Sequence, residues 1–274
     1  MNAHRSLRQQ HEVEVYDARA GDLAGTLDDA DLLVDLSRPP YPNREHVDFL
    51  DFVFERLGDP AGKRVLEVGC GSGSISTYLA LRGAEAVGID VSEGMLGLAR
   101  RRAQVNDVRV ELVGMPIEDL EHPDGCYDAI VANQVLHHLD LARAMPNIAR
   151  LIGRSGIALF AEPVLLLPEC VRNARYSRPV TRLFPARTDT PDERSIDTRA
   201  LASIRSAFAV SEVHPFQLTT RLQNFVELSD GAFERLERFD RLVMRRFPPA
   251  IRVSRYVVLV CSGDAGARQI QRTK

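Results

Sequence analysis

The chain has 274 residues with a formal net charge of -3, 45% apolar and 27% charged. That length buries one substantial core with a smaller attachment, and the mild negative charge argues against steering toward nucleic-acid phosphates. A polar start (Met1 to Gln10), apolar stretches too short for a bilayer (Val164–Leu167, Tyr256–Val260) and scattered cysteines (Cys70, Cys126, Cys170, Cys261) argue against a secretory signal, a membrane span, a disulfide framework and a zinc site.

The expectation is therefore a soluble cytoplasmic enzyme with neither a membrane nor a nucleic-acid partner. Residues 1–60 read as a helical lead-in, broken at Pro39-Pro40-Tyr41-Pro42 and followed by a helix over Arg44–Leu57. From residue 61 to 163 short apolar runs alternate with helical patterns, as in a parallel sheet with crossover helices. Strands are expected at Arg64–Val68, Ala84–Asp90, Val108–Val113, Tyr127–Asn133 and Ile157–Glu162, with helices at Ser74–Arg82, Glu93–Gln104 and Leu141–Ile152. Residues 164–200, interrupted by four prolines, read as a substrate cap. Residues 201–274 complete the sheet through a helix at Arg199–Phe208, a strand at Val210–Gln217, an amphipathic helix at Ala232–Arg246 and a closing strand at Ser254–Cys261. The last helix and strand, joined by a short link, predict an antiparallel edge. The whole is an α/β chain with one doubly wound, Rossmann-like, mostly parallel sheet.

The chemistry lies in Val65-Leu66-Glu67-Val68-Gly69-Cys70-Gly71-Ser72-Gly73, an apolar strand that runs into three alternating glycines and then a helix. Glycines there allow a sharp turn and a close backbone approach to a ligand. The next strand ends in Asp90, placed to accept hydrogen bonds from a ribose diol. A dinucleotide fingerprint would put its third glycine at position 74, which is Ser74. A pyrophosphate also needs a helix N-terminus free of negative charge, whereas Glu67 stands two residues before the first glycine and suits a cationic amino group. S-adenosylmethionine has that amino group and no phosphate.

These residues, together with Gly88-Ile89-Asp90-Val91-Ser92, Met95, Asp124-Gly125-Cys126-Tyr127-Asp128 and Asn133-Gln134-Val135-Leu136-His137-His138-Leu139, resemble the class I S-adenosylmethionine-dependent methyltransferases. The likeness is to their small-molecule branch, which includes quinone-biosynthesis enzymes, and covers roughly Gly62 to Pro163. It implies that Asp90 holds the ribose and that Gly69, Gly71 and Gly73 underlie the methionine portion. Glu67, Val91, Met95 and Asn133 join the cofactor set, and Tyr16 in the lead-in closes over it. Around the third strand, Ile117 and Glu118 flank the adenine. The chain has Gly114-Met115-Pro116 where the family carries a Gly-Asp-Ala-like stretch, which leaves Glu118 and Asp119 both open as partners of the adenine amine.

A sulfonium methyl needs alignment more than covalent help, and a hydroxyl acceptor also needs a base. His138 and His137 are the candidates, since imidazole titrates in the useful range; as plain structural residues, one would pack inward and the other face solvent. Ala161-Glu162-Pro163 after the fifth strand offers no clustered metal ligands, so no metal is expected. Cap arginines such as Arg172, Arg175 and Arg178 read either as an anion site or as a solvated face. The stripe Phe233, Leu236, Phe239, Leu242 and Val243 reads as core packing. The resulting expectation is methyl transfer to a small-molecule acceptor, oxygen ahead of nitrogen or carbon, in secondary-metabolite or quinone-like biosynthesis. Three alternatives stay open: structural binding of the cofactor or a reaction moving no methyl, methylation of RNA or protein, and NAD-dependent redox chemistry, which Ser74 disfavours.

Overall fold

The computed structural model describes residues 7–40, 47–164, 166, 196–220, 222, 226 and 228–263. Within them a seven-stranded sheet is built from β1 (Arg64–Val68), β2 (Glu85–Asp90), β3 (Glu111–Gly114), β4 (Ala129–Asn133), β5 (Ile157–Pro163), β6 (Val210–Phe216) and β7 (Tyr256–Ser262). Their spatial order is β3-β2-β1-β4-β5-β7-β6. Neighbours among β1 to β5 pair in parallel, and β7 runs antiparallel to both β5 and β6. The chain winds outward from β1 to β3, then returns to lay β4 on the other side of β1. That reversal opens a crevice at the carboxyl ends of β1 and β4, where doubly wound sheets bind ligands.

Both faces of the central strands are apolar, because helices cover both. Leu66, Ile130, Ala132, Phe160 and Leu259 point into a core with Ile148 and Leu151 of α5 (Leu141–Ile152) and Ile204 of α6 (Thr198–Ser206). Val65, Val131, Leu159 and Val258 face the other way, onto α2 (Val47–Leu57) and α3 (Ser74–Leu81) through Phe49, Leu50, Ile75 and Leu79. The last helix is α7 (Asp230–Arg246).

The lead-in helix α1 (Leu7–Thr26) lies on α4 (Glu93–Val105). Asp17 Oδ1 accepts hydrogen bonds from Ser92 Oγ at 2.5 Å and from Gly94 N at 3.0 Å, so a residue of α1 caps the start of α4. Ala20, Met95 and Leu98 form a small apolar cluster at this contact, joined by Tyr16 and Leu23. Farther along, Arg101 donates to the Leu27 carbonyl, and Arg102 and Asn106 to that of Leu32, tying the lead-in to α4.

The expected fold class is observed, with three local corrections. β3 begins at Glu111 rather than Val108, because Asp107 turns with φ 52° and Val108 N bonds back to the Ala103 carbonyl. The closing strand β7 is not itself the edge: it inserts between β5 and β6, which places β6 outermost. On α7, Phe233 is buried but Phe239 and Leu242 are exposed, so only part of that stripe is core. Most of the expected cap, including Arg172, Arg175 and Arg178, lies outside the described residues.

The Asp17 cap yields a direct expectation. Asp17→Ala should lower stability by about 1 kcal/mol, the usual worth of a helix cap, measured by chemical denaturation. Limited proteolysis should then cut within residues 7–26 before it cuts the sheet. Unchanged stability with unchanged cleavage would contradict the docking of α1 on α4.

Candidate active site

The glycine loop between β1 and α3 sits at the crevice. Gly69, Gly71 and Gly73 have φ of 69°, 49° and 75°, all in the left-handed region. Two of them are also closely approached: a Cβ at Gly69 would lie 2.5 Å from Val135 Cγ2, and one at Gly73 2.8 Å from Ala99 Cβ. A Cβ at Gly71 would meet nothing within 4 Å, so that face of the loop is open. Burial pushes the Cys70 thiol well above its ordinary range, which leaves it inert as a nucleophile.

Side chains from three elements hold the loop. Asp90, at the end of β2, accepts from Gly71 N and from Ser92 N, each at 2.9 Å. Arg102 of α4 donates from Nε to the Ser72 carbonyl at 2.9 Å. Glu67, buried in β1, accepts from Ser76 N at 2.7 Å and from Ser76 Oγ. Ser76 N is one of the amide groups that the first turn of α3 leaves without a helical partner. The chain's own carboxylate therefore fills the place a phosphate would take at this helix end. Burial raises the Glu67 carboxyl to about 8 against the pull of its Ser76 bonds, and burial raises Asp90 as well.

Beyond the loop lie further acceptors. Asn133, at the end of β4, has a buried Oδ1 with no hydrogen-bond partner among the described residues. Glu118 stands in a short 3-10 turn (Ile117–Asp119), with Oε1 accepting from Asp140 N at 3.0 Å and Oε2 buried and unpartnered. Burial raises its carboxyl also. Asp119 turns outward to an exposed ion pair with Arg143 at 2.6 Å. Ile117 is buried, Val91 is half-buried, and Met95 packs beneath α1 beside Tyr16.

The two histidines occupy a second 3-10 turn (Leu136–His138), separate from α5. Gln134 enters it with φ 55°, an uncommon conformation for a residue with a side chain. Both histidines are buried, their ring centroids 4.1 Å apart. His137 Nδ1 lies 2.7 Å from Glu162 Oε2, while Glu162 Oε1 accepts from Val135 N and Leu136 N. His138 Nδ1 lies 3.0 Å from Glu12 Oε1, and its Nε2 is 3.5 Å from the Tyr16 hydroxyl. A cleft of about 580 Å³ opens beside His138, with Gln9, Asp140, Arg199 and Ser203 on its walls. The structural reading of the pair, one histidine inward and one in solvent, is corrected: each is buried against a carboxylate.

Glu67, Gly69, Gly71, Gly73 and Asp90 are thus joined at the carboxyl ends of β1 and β2 with Asn133 at the end of the adjacent β4, while Glu118 and His138 stand in the turns after β3 and β4 and Tyr16 comes from α1. Glu12, Ser76 and Arg102, and the fastening roles of Asp17 and Glu162, carry no signal in the sequence beyond position: Asp17 adjoins Tyr16, and Glu162 stands at the end of the fifth strand.

Residues 66–160 match the family model described as a methyltransferase domain. The chain is 31% identical over 164 residues to a ubiquinone biosynthesis O-methyltransferase of Bordetella parapertussis, covering 58% of this chain and 66% of that protein. It is 38% identical over 114 residues to the Alkalilimnicola ehrlichii enzyme of the same description, covering 41% and 46%. The chain thus aligns with just under two thirds of the first relative's length and less than half of the second's. Among solved structures, geranyl diphosphate C-methyltransferase from Streptomyces coelicolor A3(2) superposes with a TM-score of 0.61 at 16% identity, covering 95% of this chain and 99% of that one. The [4+2]-cyclase SpnF superposes with a TM-score of 0.59 at 22% identity, covering 94% and 97%. At those identities the likeness is one of fold. Residues 66–160 are thus a methyltransferase domain, carried on a fold that the chain shares with class I S-adenosylmethionine-dependent methyltransferases.

Proposed function

We propose that the protein transfers a methyl group from S-adenosylmethionine to a small-molecule acceptor, with a hydroxyl oxygen as the preferred atom. The observation that carries the donor half is the makeup of the crevice. Its polar groups include the acceptors Glu67, Asp90, Asn133 and Glu118, two of them with buried oxygens that have no partner among the described residues. Such a lining complements a ligand rich in donors, namely an ammonium group, a ribose diol and an adenine amine. The open face at Gly71 gives that ligand room against the loop.

The assignments follow from position. Glu67 receives the ammonium group, Asp90 the ribose, and Glu118 rather than Asp119 the adenine amine, because Asp119 is turned away to Arg143. Gly69, Gly71 and Gly73 form the floor, Asn133 adds an acceptor from β4, and Val91, Met95 and Ile117 supply apolar walls. Tyr16 stands over the site from α1. When bound, the donor supplies an electrophilic sulfonium methyl whose bonding pair stays with sulfur. The acceptor enters by the cleft beside His138, and its hydroxyl proton passes to the imidazole. An oxygen acceptor is favoured because a buried base would be idle for a neutral amine. The match to ubiquinone O-methyltransferases points the same way.

Calorimetric titration should show binding of S-adenosylmethionine and of its demethylated product but not of NAD. No heat with S-adenosylmethionine would end the proposal. Binding without transfer of labelled methyl to any phenolic or carboxylic acceptor would favour a chemistry that moves no methyl. His138→Ala should cut kcat roughly 100-fold or more, the usual weight of a general base, and leave the donor's Kd unchanged.

The raised Glu67 carboxyl adds a linkage. At pH 7 the free protein holds this group protonated, and pairing with the ammonium group requires the carboxylate. Donor binding should therefore release a proton, seen as a dependence of the binding heat on the buffer's ionisation enthalpy. Glu67→Gln should lose that proton and weaken binding roughly 10- to 100-fold, the equivalent of a charge-assisted bond of about 1.5–3 kcal/mol. In the free protein, a carboxyl raised on folding favours the folded state at low pH, and that contribution fades as pH rises from about 4.5 through about 8. The Gln variant should lose less stability across that window.

A further inference from the structure

We infer that Glu12, on the lead-in helix, is a positioning residue for the base: it fixes His138 with the proton on Nδ1 and the lone pair of Nε2 available to the acceptor. The inference rests on the reading of His138 as the base. Glu12 is only 9% exposed, an uncommon degree of burial for a carboxylate without a task. Its Oε1 lies 3.0 Å from His138 Nδ1, and His138 itself is only 7% exposed. A carboxylate only accepts hydrogen bonds, so a neutral imidazole meeting it presents Nδ1–H and leaves Nε2 unprotonated.

The surroundings of His138 separate the two histidines by role. From the same turn, His137 lies against it, with its own Nδ1 committed to Glu162. Glu162 is fully buried and also holds two backbone amides, so that pair fastens the turn to β5. From α1, Glu12 faces Nδ1, and the Tyr16 hydroxyl, 3.5 Å from Nε2, donates to that nitrogen until the acceptor's hydroxyl takes its place. Asp140 and Arg199 are the other charged residues on the described walls of the cleft. Of the two rings, His138 is the one that borders the cleft. When the acceptor's hydroxyl proton arrives on Nε2, the ring becomes a cation, and Glu12 is the carboxylate in contact with it.

The consequence is that α1 belongs to the catalytic apparatus. Its Asp17 cap on α4 sets the helix in place, and Glu12, five residues earlier, then reaches the imidazole.

Long-range proton–nitrogen NMR on protein carrying nitrogen-15 histidine reads the tautomer without turnover. In the intact chain His138 should show a protonated Nδ1 and an unprotonated Nε2. Glu12→Ala should move it toward the Nε2–H form, Glu12→Gln should retain Nδ1–H because its amide oxygen still accepts, and Glu14→Ala on the exposed side of α1 should change nothing. In methyl-transfer assays Glu12→Ala should lower kcat 10- to 100-fold at unchanged donor Kd and acceptor KM, with partial rescue in Glu12→Gln. A wild-type Nε2–H tautomer, or a tautomer indifferent to Glu12→Ala, would overturn the inference. A tautomer that shifts while kcat stays put would instead overturn His138 as the base and leave the contact standing, so the two failures are distinguishable.

Discussion

The Asp90 carboxylate accepts from Gly71 N with one oxygen and from Ser92 N with the other, and so binds two loops into one surface. Gly71 belongs to the turn after β1 and Ser92 to the turn after β2. Ser92 in turn donates its hydroxyl to Asp17 of α1, which extends the chain of contacts to the lead-in helix. Without Asp90 the glycine loop would keep only its backbone bonds from Gly69 N and Cys70 N to the Ile89 carbonyl as ties to β2, and the turn into α4 would lose its bond at Ser92 N. Each oxygen retains a further lone pair, on which the proposed ribose contact draws.

A second carboxylate organises the opposite wall. Glu162, at the end of β5, holds the turn after β4 by two backbone amides and the His137 ring. Because that turn is fixed, Val135 lies close against Gly69, and the walls on either side of the crevice are packed on each other. Buried carboxylates recur at each functional corner: Glu67, Glu162 and Glu12, with Glu118 half-buried. Each has an amide or an imidazole within hydrogen-bond reach, as a polar group withdrawn from water requires.

Much of the central sheet could be read from the residues, because an apolar run ending in glycine leaves few options. β1 begins and ends where expected, and α5 does so as well, since Asp140 caps its first turn and Gly153 follows its last. The start of β3 was not legible: nothing in Val108-Arg109-Val110 announces that the preceding turn takes the Val108 amide. The inner position of β7 had a signal that edge reasoning overlooked. Tyr256–Ser262 is buried at every residue, and an unbroken apolar run suits a strand with neighbours on both sides. The partners of the histidines were out of reach for a different reason. Glu12 is 126 residues from His138, and no periodicity links a lead-in helix to a turn after the fourth strand. The glycine loop and Asp90 are local in sequence; His138 and its carboxylate meet only through tertiary packing.

The Glu67–Ser76 contact also bears on how freely this scaffold can change cofactor. Dinucleotide and sulfonium sites share the strand, the glycines and the distal carboxylate, so moving one glycine to position 74 looks like a short route between them. Yet the amide that would face a pyrophosphate is already bonded to a buried carboxylate rooted in the central strand. Removing Glu67 would leave the first turn of α3 short of an acceptor, and keeping it would set its carboxyl oxygen and the pyrophosphate in competition for the same amide. The barrier to redesign therefore lies in the interior of β1, beneath the loop, and surface grafting of a different glycine pattern does not reach it.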